Sequence, residues 1–263
     1  PGRRPAIGVA GRTHRTAALA NSRRHSPHLT SGRDQSDPVA VTRDKLKRQA
    51  ALASIDRVTP GIWLGLGTGS TASWLVKELG ERVKGGLQLK GTVSSSSATR
   101  ALAEQCGLPG GTLEEAGELD LYIDGADEIC GRQLVKGGGG ALLHEKILAA
   151  SSRRFIVLAD DGKEVAKLGD FGVPIEIIPL ARPLVVRRIE ALGGQATLRK
   201  KDDSEFLTDE KNWVLDCDFG PLESPARLAE QLSAIPGVVE HGLFIDMAHE
   251  VVLAGEKGVT WQS

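Results

Sequence analysis

After Val41 the chain alternates between short apolar runs and helical spacing, and each of four successive apolar runs stops in small or polar residues. Gly61 to Leu66 runs into Thr68-Gly69-Ser70-Thr71, and Leu87 to Val93 into Ser94-Ser95-Ser96-Ser97. Leu119 to Ile123 runs into Asp124-Gly125-Ala126-Asp127, and Phe155 to Ala159 into Asp160-Asp161-Gly162-Lys163. Strands that alternate with helices predict an α/β domain built on a parallel sheet. In open parallel sheets ligands bind beyond the carboxyl ends of the strands, so these four endings are expected to line a single crevice.

Helices are expected from Thr42, as a cap, to about Arg57, and over Ala72 to Lys84, Thr99 to Cys106 and Ala141 to Ala150. From Val173 the order changes. Strand (Pro174 to Ile178), helix (Arg182 to Leu192), two strands (Gln195 to Lys200, Trp213 to Phe219), helix (Pro225 to Ala234) and strand (Val238 to Phe244) form the βαββαβ series of a ferredoxin-like unit. A last strand, Val251 to Ala254, is expected to rejoin the first sheet. The predicted organisation is a Rossmann-like domain of mostly parallel sheet (41–172 and 248–263), a smaller α+β ferredoxin-like domain (173–247) and an unstructured extension (1–40).

The extension rests on composition. Residues 1–33 hold seven arginines, three histidines and no acid, which leaves 26 basic against 34 acidic residues in the remainder. That acidic remainder disfavours a nucleic-acid partner. An Arg-rich, acid-poor leader fits either an organelle transit peptide, hence a plastid, or an unstructured extension of a cytoplasmic protein. The longest apolar runs fall far short of the ~20 residues that cross a bilayer, so no membrane partner is expected. Cys106, Cys130 and Cys217 are odd in number and widely spaced, which reads as free thiols in a reducing compartment.

Gly65-Leu66-Gly67-Thr68-Gly69-Ser70-Thr71-Ala72 ends a strand and opens a helix, so its amides and hydroxyls can cradle an anion at the positive end of a helix dipole. A dinucleotide reading lacks the acid expected ~20 residues on, because the next strand ends in serines. Phosphate is the favoured ligand. Asp124 and Asp127 bracket a glycine at the third strand end, where acids serve as caps, as Mg²⁺ ligands or as proton shuttles. No histidine or further acid cluster accompanies them, which weakens the metal reading. Lys136 precedes Gly137-Gly138-Gly139-Gly140, a permissive backbone able to wrap a small ligand and present amides to it. Glu145 early in the next helix is either a solvent-facing glutamate or, if buried, a general base. His144, His241 and His249 lie outside every strand-end motif, and no Ser-His-Asp arrangement is supported.

As an ordered set, GLGTGST, DGADE, KGGGGALLHEKI, ADDGKEV, FGVPIEIIP and IPGVVEHGLF resemble the ribose-5-phosphate isomerases of the A type, over about Val41 to Val259. The resemblance implies interconversion of D-ribose 5-phosphate and D-ribulose 5-phosphate in the pentose phosphate pathway, with no metal, no organic cofactor, and a homodimer or homotetramer. It implies that Thr68, Gly69, Ser70 and Thr71 hold the phosphate and that Glu145 moves the proton between C2 and C1. Asp124 and Asp127, with Gly125 and Ala126 between them, contact the sugar and assist ring opening. Lys136 steadies the developing oxyanion, Gly137, Gly138 and Gly139 wrap the ligand, and Lys163 reaches it; Lys47 is a further phosphate candidate. Leu143-His144 stands where Thr-Arg is commoner in that family, and Gly162 where Ser is frequent. Rival readings are a phosphosugar-binding regulatory domain, for which the leader supplies no helix-turn-helix, and an amino-sugar phosphate deaminase or coenzyme A transferase. The spacing from Lys136 to Glu145 favours the isomerase.

Overall fold

The structure, a computed structural model, describes residues 38–263. The leader expected over 1–40, with its transit-peptide reading, lies outside the described residues up to residue 37. Helix α1 (Pro38–Ile55) opens ahead of the predicted cap Thr42, since proline is tolerated at the first helical position.

Strand β1 (Trp63–Leu66) leads through the TGST turn into α2 (Ser70–Lys84), and β2 (Gly91–Ser94) leads into α3 (Ser97–Gln105). A single turn, α4 (Leu113–Ala116), closed by a Thr112–Glu115 capping box, precedes β3 (Leu121–Gly125). Then come the hairpin β4 (Glu128–Cys130) and β5 (Gln133–Val135), the glycine loop, α5 (Leu142–Ala150) and β6 (Phe155–Asp160). The second part holds β7 (Val173–Ile177), α6 (Arg182–Ala191), β8 (Gln195–Leu198) and the short pair β9 (Lys200–Lys201) and β10 (Ser204–Glu205). It continues through β11 (Trp213–Asp218), α7 (Pro225–Ser233), β12 (Val238–His241) and β13 (Leu243–Phe244). A hairpin of β14 (Glu250–Gly255) and β15 (Gly258–Gln262) ends the chain.

The main sheet runs β2-β1-β3-β6-β14-β15. Every pairing in it is parallel except β14 with β15. The second sheet runs β12-β7-β11-β8 with all pairings antiparallel, which is the order that the split βαβ series produces. The α/β class, Rossmann-like plus ferredoxin-like, is therefore present as predicted. Among the described residues, no helix is long and apolar enough to cross a membrane.

Period-two alternation sorts the main sheet's side chains into two cores. Along β6, Ile156 and Leu158 pack with Leu64, Leu66, Leu75 and Leu79 under α1 and α2. Phe155, Val157 and Ala159 face the other way, against Tyr122, Leu134 and Phe244. A third core lies beneath α6 and α7, where Val185, Ile189 and Leu232 meet Ile175, Ile177 and Leu215.

Two strand expectations change. Val238 to Phe244, predicted as one strand, divides at Gly242 into β12 of the second sheet and β13 of a small sheet with β5 and β4. The backbone at Gly242 crosses the glycine-loop lead so closely that a Cβ there would lie 2.2 Å from the Lys136 carbonyl. Gln195 to Lys200 likewise divides at Arg199, between β8 and β9.

Candidate active site

In the main sheet β1 and β3 are neighbours, but the chain leaves β1 toward β2 on one side and β3 toward β6 on the other. A reversal of this kind opens a crevice beyond the carboxyl ends of the two strands. Gly67 closes β1 by donating its N–H to the Ile123 carbonyl. It leaves no room: a Cβ at this position would sit 1.9 Å from Asp124 Oδ1. Gly67→Ala is therefore expected to displace the Asp124 carboxylate, lowering stability by about 1–3 kcal/mol as an overpacking change and lowering kcat/KM. Urea unfolding and steady-state rates check both effects.

Thr68 spends its polar groups on the protein. Its N–H donates to Asp124 Oδ1 at 3.0 Å, and its Oγ1 lies 2.8 Å from both Ser95 and Ser96 Oγ and 3.2 Å from Thr99 Oγ1. The serine run after β2 thus serves to anchor the turn. The chain then turns at Gly69 (φ +112) into α2, whose N-terminus carries no side-chain cap. The leading amides of a helix have no partner within it, and the dipole makes that end attractive to an anion. Lys47 from α1 and Lys163 after β6 border the same cleft.

Beneath the cleft, charges are packed out of water. Asp124 is fully buried. Its Oδ2 accepts from Tyr122 Oη at 2.5 Å and from Lys136 Nζ at 2.7 Å, while its Oδ1 accepts from the Gly125 N–H at 2.7 Å and from Thr68. Lys136 also donates to the Gly125 carbonyl at 2.5 Å, and its Nζ lies 3.2 Å from Glu145 Oε2. Although Lys136 is near it, Glu145 Oε2 has no hydrogen-bond partner among the described residues. Burial first, then the Asp124 carboxylate, push the Glu145 pKa up to about 8, with Lys136 opposing. For Lys136, burial works against the charge, but Asp124 and then Glu145 outweigh it and hold its pKa above that of an ordinary lysine. Burial and the same two carboxylates raise Tyr122 well above the usual phenol.

The glycine loop bends through positive φ at Gly137 (+103) and Gly140 (+78), where a side chain would be strained. The Gly138 N–H donates to Asp127 Oδ2 at 2.8 Å. Of the residues expected to catalyse or to bind substrate, all but Asp124 line one cleft of about 130 Å³. Of the four strand endings expected to share a crevice, Ser94 to Ser97 stand behind it, Ser95 and Ser96 against Thr68 and Ser97 against Asp209, and Lys163 alone of Asp160 to Lys163 reaches it. Asp124 is fully buried beside the cleft, with Oδ1 accepting from the Thr68 and Gly125 amides and Oδ2 from Tyr122 and Lys136. Glu145 is 3% exposed, so the solvent-facing alternative is set aside. His144 turns instead to Glu210, at 2.9 Å.

The sequence expectations did not include Tyr122, Arg199 and Asp209. Tyr122 stands two residues before Asp124 on one strand, hence on the same face, and that spacing was a usable signal. Arg199, which donates to the Gly137 carbonyl at 2.9 Å, and Asp209, which accepts from the Ser97 N–H at 2.8 Å, arrive from the second sheet's connections with no local signal.

A family model, ribose 5-phosphate isomerase A (phosphoriboisomerase A), matches residues 91–258. The chain belongs to that family. It is 51% identical to a ribose-5-phosphate isomerase A of Bradyrhizobium diazoefficiens, across 82% of this chain and 94% of the relative. It is 49% identical to one from a Synechococcus species, across 82% of this chain and 96% of the relative. The solved ribose 5-phosphate isomerase A of Neisseria gonorrhoeae superposes with a TM-score of 0.79 at 37% identity, covering 84% of this chain and 96% of that one.

Proposed function

We propose that this protein interconverts D-ribose 5-phosphate and D-ribulose 5-phosphate by enediolate proton transfer. The observation that carries the reading is the buried pair Glu145 and Lys136, 3.2 Å apart at the edge of a cleft whose other boundary is an uncapped helix N-terminus. A hydrogen beside a carbonyl is very weakly acidic. Its removal needs a positioned base and a cation or donors at the oxygen that becomes negative.

The open-chain aldose gives its C2 proton to the Glu145 carboxylate, the C2–H electron pair forms a C1–C2 double bond, and the carbonyl pair moves onto the C1 oxygen. Lys136 stabilises the charge there. Return of the proton to C1, with transfer of the C2 hydroxyl proton to the C1 oxygen, completes the ketose, so the atoms balance without an oxidant. The helix amides of Gly69, Ser70 and Thr71, with Lys47 and Lys163, hold the phosphate, where binding energy is gained away from the reacting carbons. Asp127 Oδ1, which takes no hydrogen bond among the described residues, holds a sugar hydroxyl while Oδ2 fixes Gly138.

The purified protein is expected to turn over ribose 5-phosphate in the presence of a chelator and to show little activity with hexose phosphates assayed alongside. The reading is overturned by absence of turnover; activity that is lost with chelator and restored by metal overturns its metal-free part. A pH profile adds a sharper expectation. In the free enzyme Glu145 must lose a proton to act, so kcat/KM should rise about tenfold per pH unit on the acid side and level off at a midpoint near the Glu145 pKa of about 8. A flat profile across that range would remove Glu145 from the role of base.

A further inference from the structure

Arg199 is the residue that parts β8 from β9, far in sequence from the glycine loop it touches. Its backbone is fixed on both sides, with its N–H donating to the Val214 carbonyl at 2.8 Å and its own carbonyl accepting from Phe206 at 3.0 Å. The guanidinium is aimed by Asp216, through Nε to Oδ2 at 3.0 Å and through Nη2 to Oδ1. This is a two-point pairing that locks the plane of the fork. The free end, Nη1, donates to the Gly137 carbonyl at 2.9 Å and to the Gly138 carbonyl at 3.2 Å. Phe206 lies 5.7 Å from the guanidinium and fills the space beside Gly140, where a Cβ would come within 2.4 Å of its ring.

Two successive carbonyls turned toward one cation have a consequence for the amides that follow them. In a planar trans peptide the N–H points opposite to the C=O. The Gly138 N–H is accordingly directed away from Arg199 and ends on Asp127 Oδ2 at 2.8 Å. The Gly139 N–H shares its peptide with the Gly138 carbonyl and is turned the same way. It has no hydrogen-bond partner among the described residues, and Gly139 lines the cleft across from Thr68.

We propose that Arg199 is a positioning residue for the isomerisation: by holding the Gly138 carbonyl it presents the Gly139 N–H to the sugar oxygen on which charge develops. This rests on the function proposed above. The second sheet thereby contributes to catalysis without touching substrate, and Asp216 acts one step further back by aiming the guanidinium.

The test compares Arg199→Met, Arg199→Lys and Asp216→Asn with wild type for kcat, for competitive inhibition by inorganic phosphate, and for folding by circular dichroism. A single preorganised donor is worth about 10²–10³ in kcat, so losing its alignment in Arg199→Met is expected to cost at least about tenfold. The inhibition constant for phosphate should stay unchanged, because the helix amides that bind it are elsewhere. Arg199→Lys should fall between the two, since an ammonium reaches a carbonyl but has no fork to be aimed by Asp216. An unchanged kcat in Arg199→Met overturns the proposal, as does a loss of kcat matched by an equal loss of phosphate affinity. Should Arg199→Met fail to fold, Asp216→Asn, which keeps the guanidinium but frees its plane, decides by the same two readouts. A wild-type protein without turnover would instead remove the functional reading itself.

Discussion

Glu145→Gln should lower kcat by about 10²–10⁴, the usual worth of a general base, while the fold is kept. The amide retains the shape of the side chain and its place on α5 but cannot accept the C2 proton. The same substitution should change how stability depends on pH, and the sign follows from the direction of the shift. In the unfolded chain a glutamate releases its proton near 4.5, whereas the buried Glu145 holds it up to about 8. Its contribution to stability is therefore complete below the lower value and is lost as pH rises through the higher one. Glu145→Gln has no such proton to lose. It should match wild type in acid and exceed it on the alkaline side, as read by urea unfolding at the two extremes. A variant that loses activity but follows the wild-type stability curve would show that the carboxyl is not held protonated in the folded state.

The parts of the site that were legible in the sequence are those made by consecutive residues. GLGTGST could be read because a strand, a turn and a helix start occupy adjacent positions, and the DGAD and KGGGG stretches because a chain that places acids or glycines together at a strand end exposes its chemistry locally. The ferredoxin-like series was legible for a similar reason, its strands and helices being long enough to show their periods. The hairpin of Glu128–Cys130 and Gln133–Val135 was not, since three-residue strands carry no measurable alternation. The division at Gly242 was also hidden, because its cause is a backbone 106 positions away, at Lys136. Asp124 shows the difference most clearly. Its motif pointed to the cleft, yet its carboxylate is buried beside it, because Tyr122, Lys136 and two amides together satisfy it there. No single stretch of sequence contains that competition.

Lys136→Met should be costly twice over, and the two costs can be separated. In the reaction it removes the cation beside the developing oxyanion, a loss of about 10²–10³ in kcat. It also removes the group that opposes the upward shift of Glu145, so the base should titrate above its wild-type midpoint and the acid limb of kcat/KM should move to higher pH. Part of the lost rate should therefore return on the alkaline side, while a limb left in place would show that the two groups do not interact. In the fold, Lys136 is the cation that meets the fully buried Asp124 at 2.7 Å. Removing one partner of a buried pair typically costs about 3–5 kcal/mol, because the other charge is left uncompensated; the Tyr122 hydroxyl and the two amides soften that here. Adding Asp124→Asn to Lys136→Met removes the stranded charge. The double variant is expected to recover much of the stability in urea unfolding yet remain slow, because the oxyanion still lacks its ammonium. If the double variant is as unstable as Lys136→Met alone, the ammonium's other contacts, to the Gly125 carbonyl and over the Phe244 ring with Nζ 5.4 Å from its centroid, stabilise the fold more than its pairing with Asp124 does.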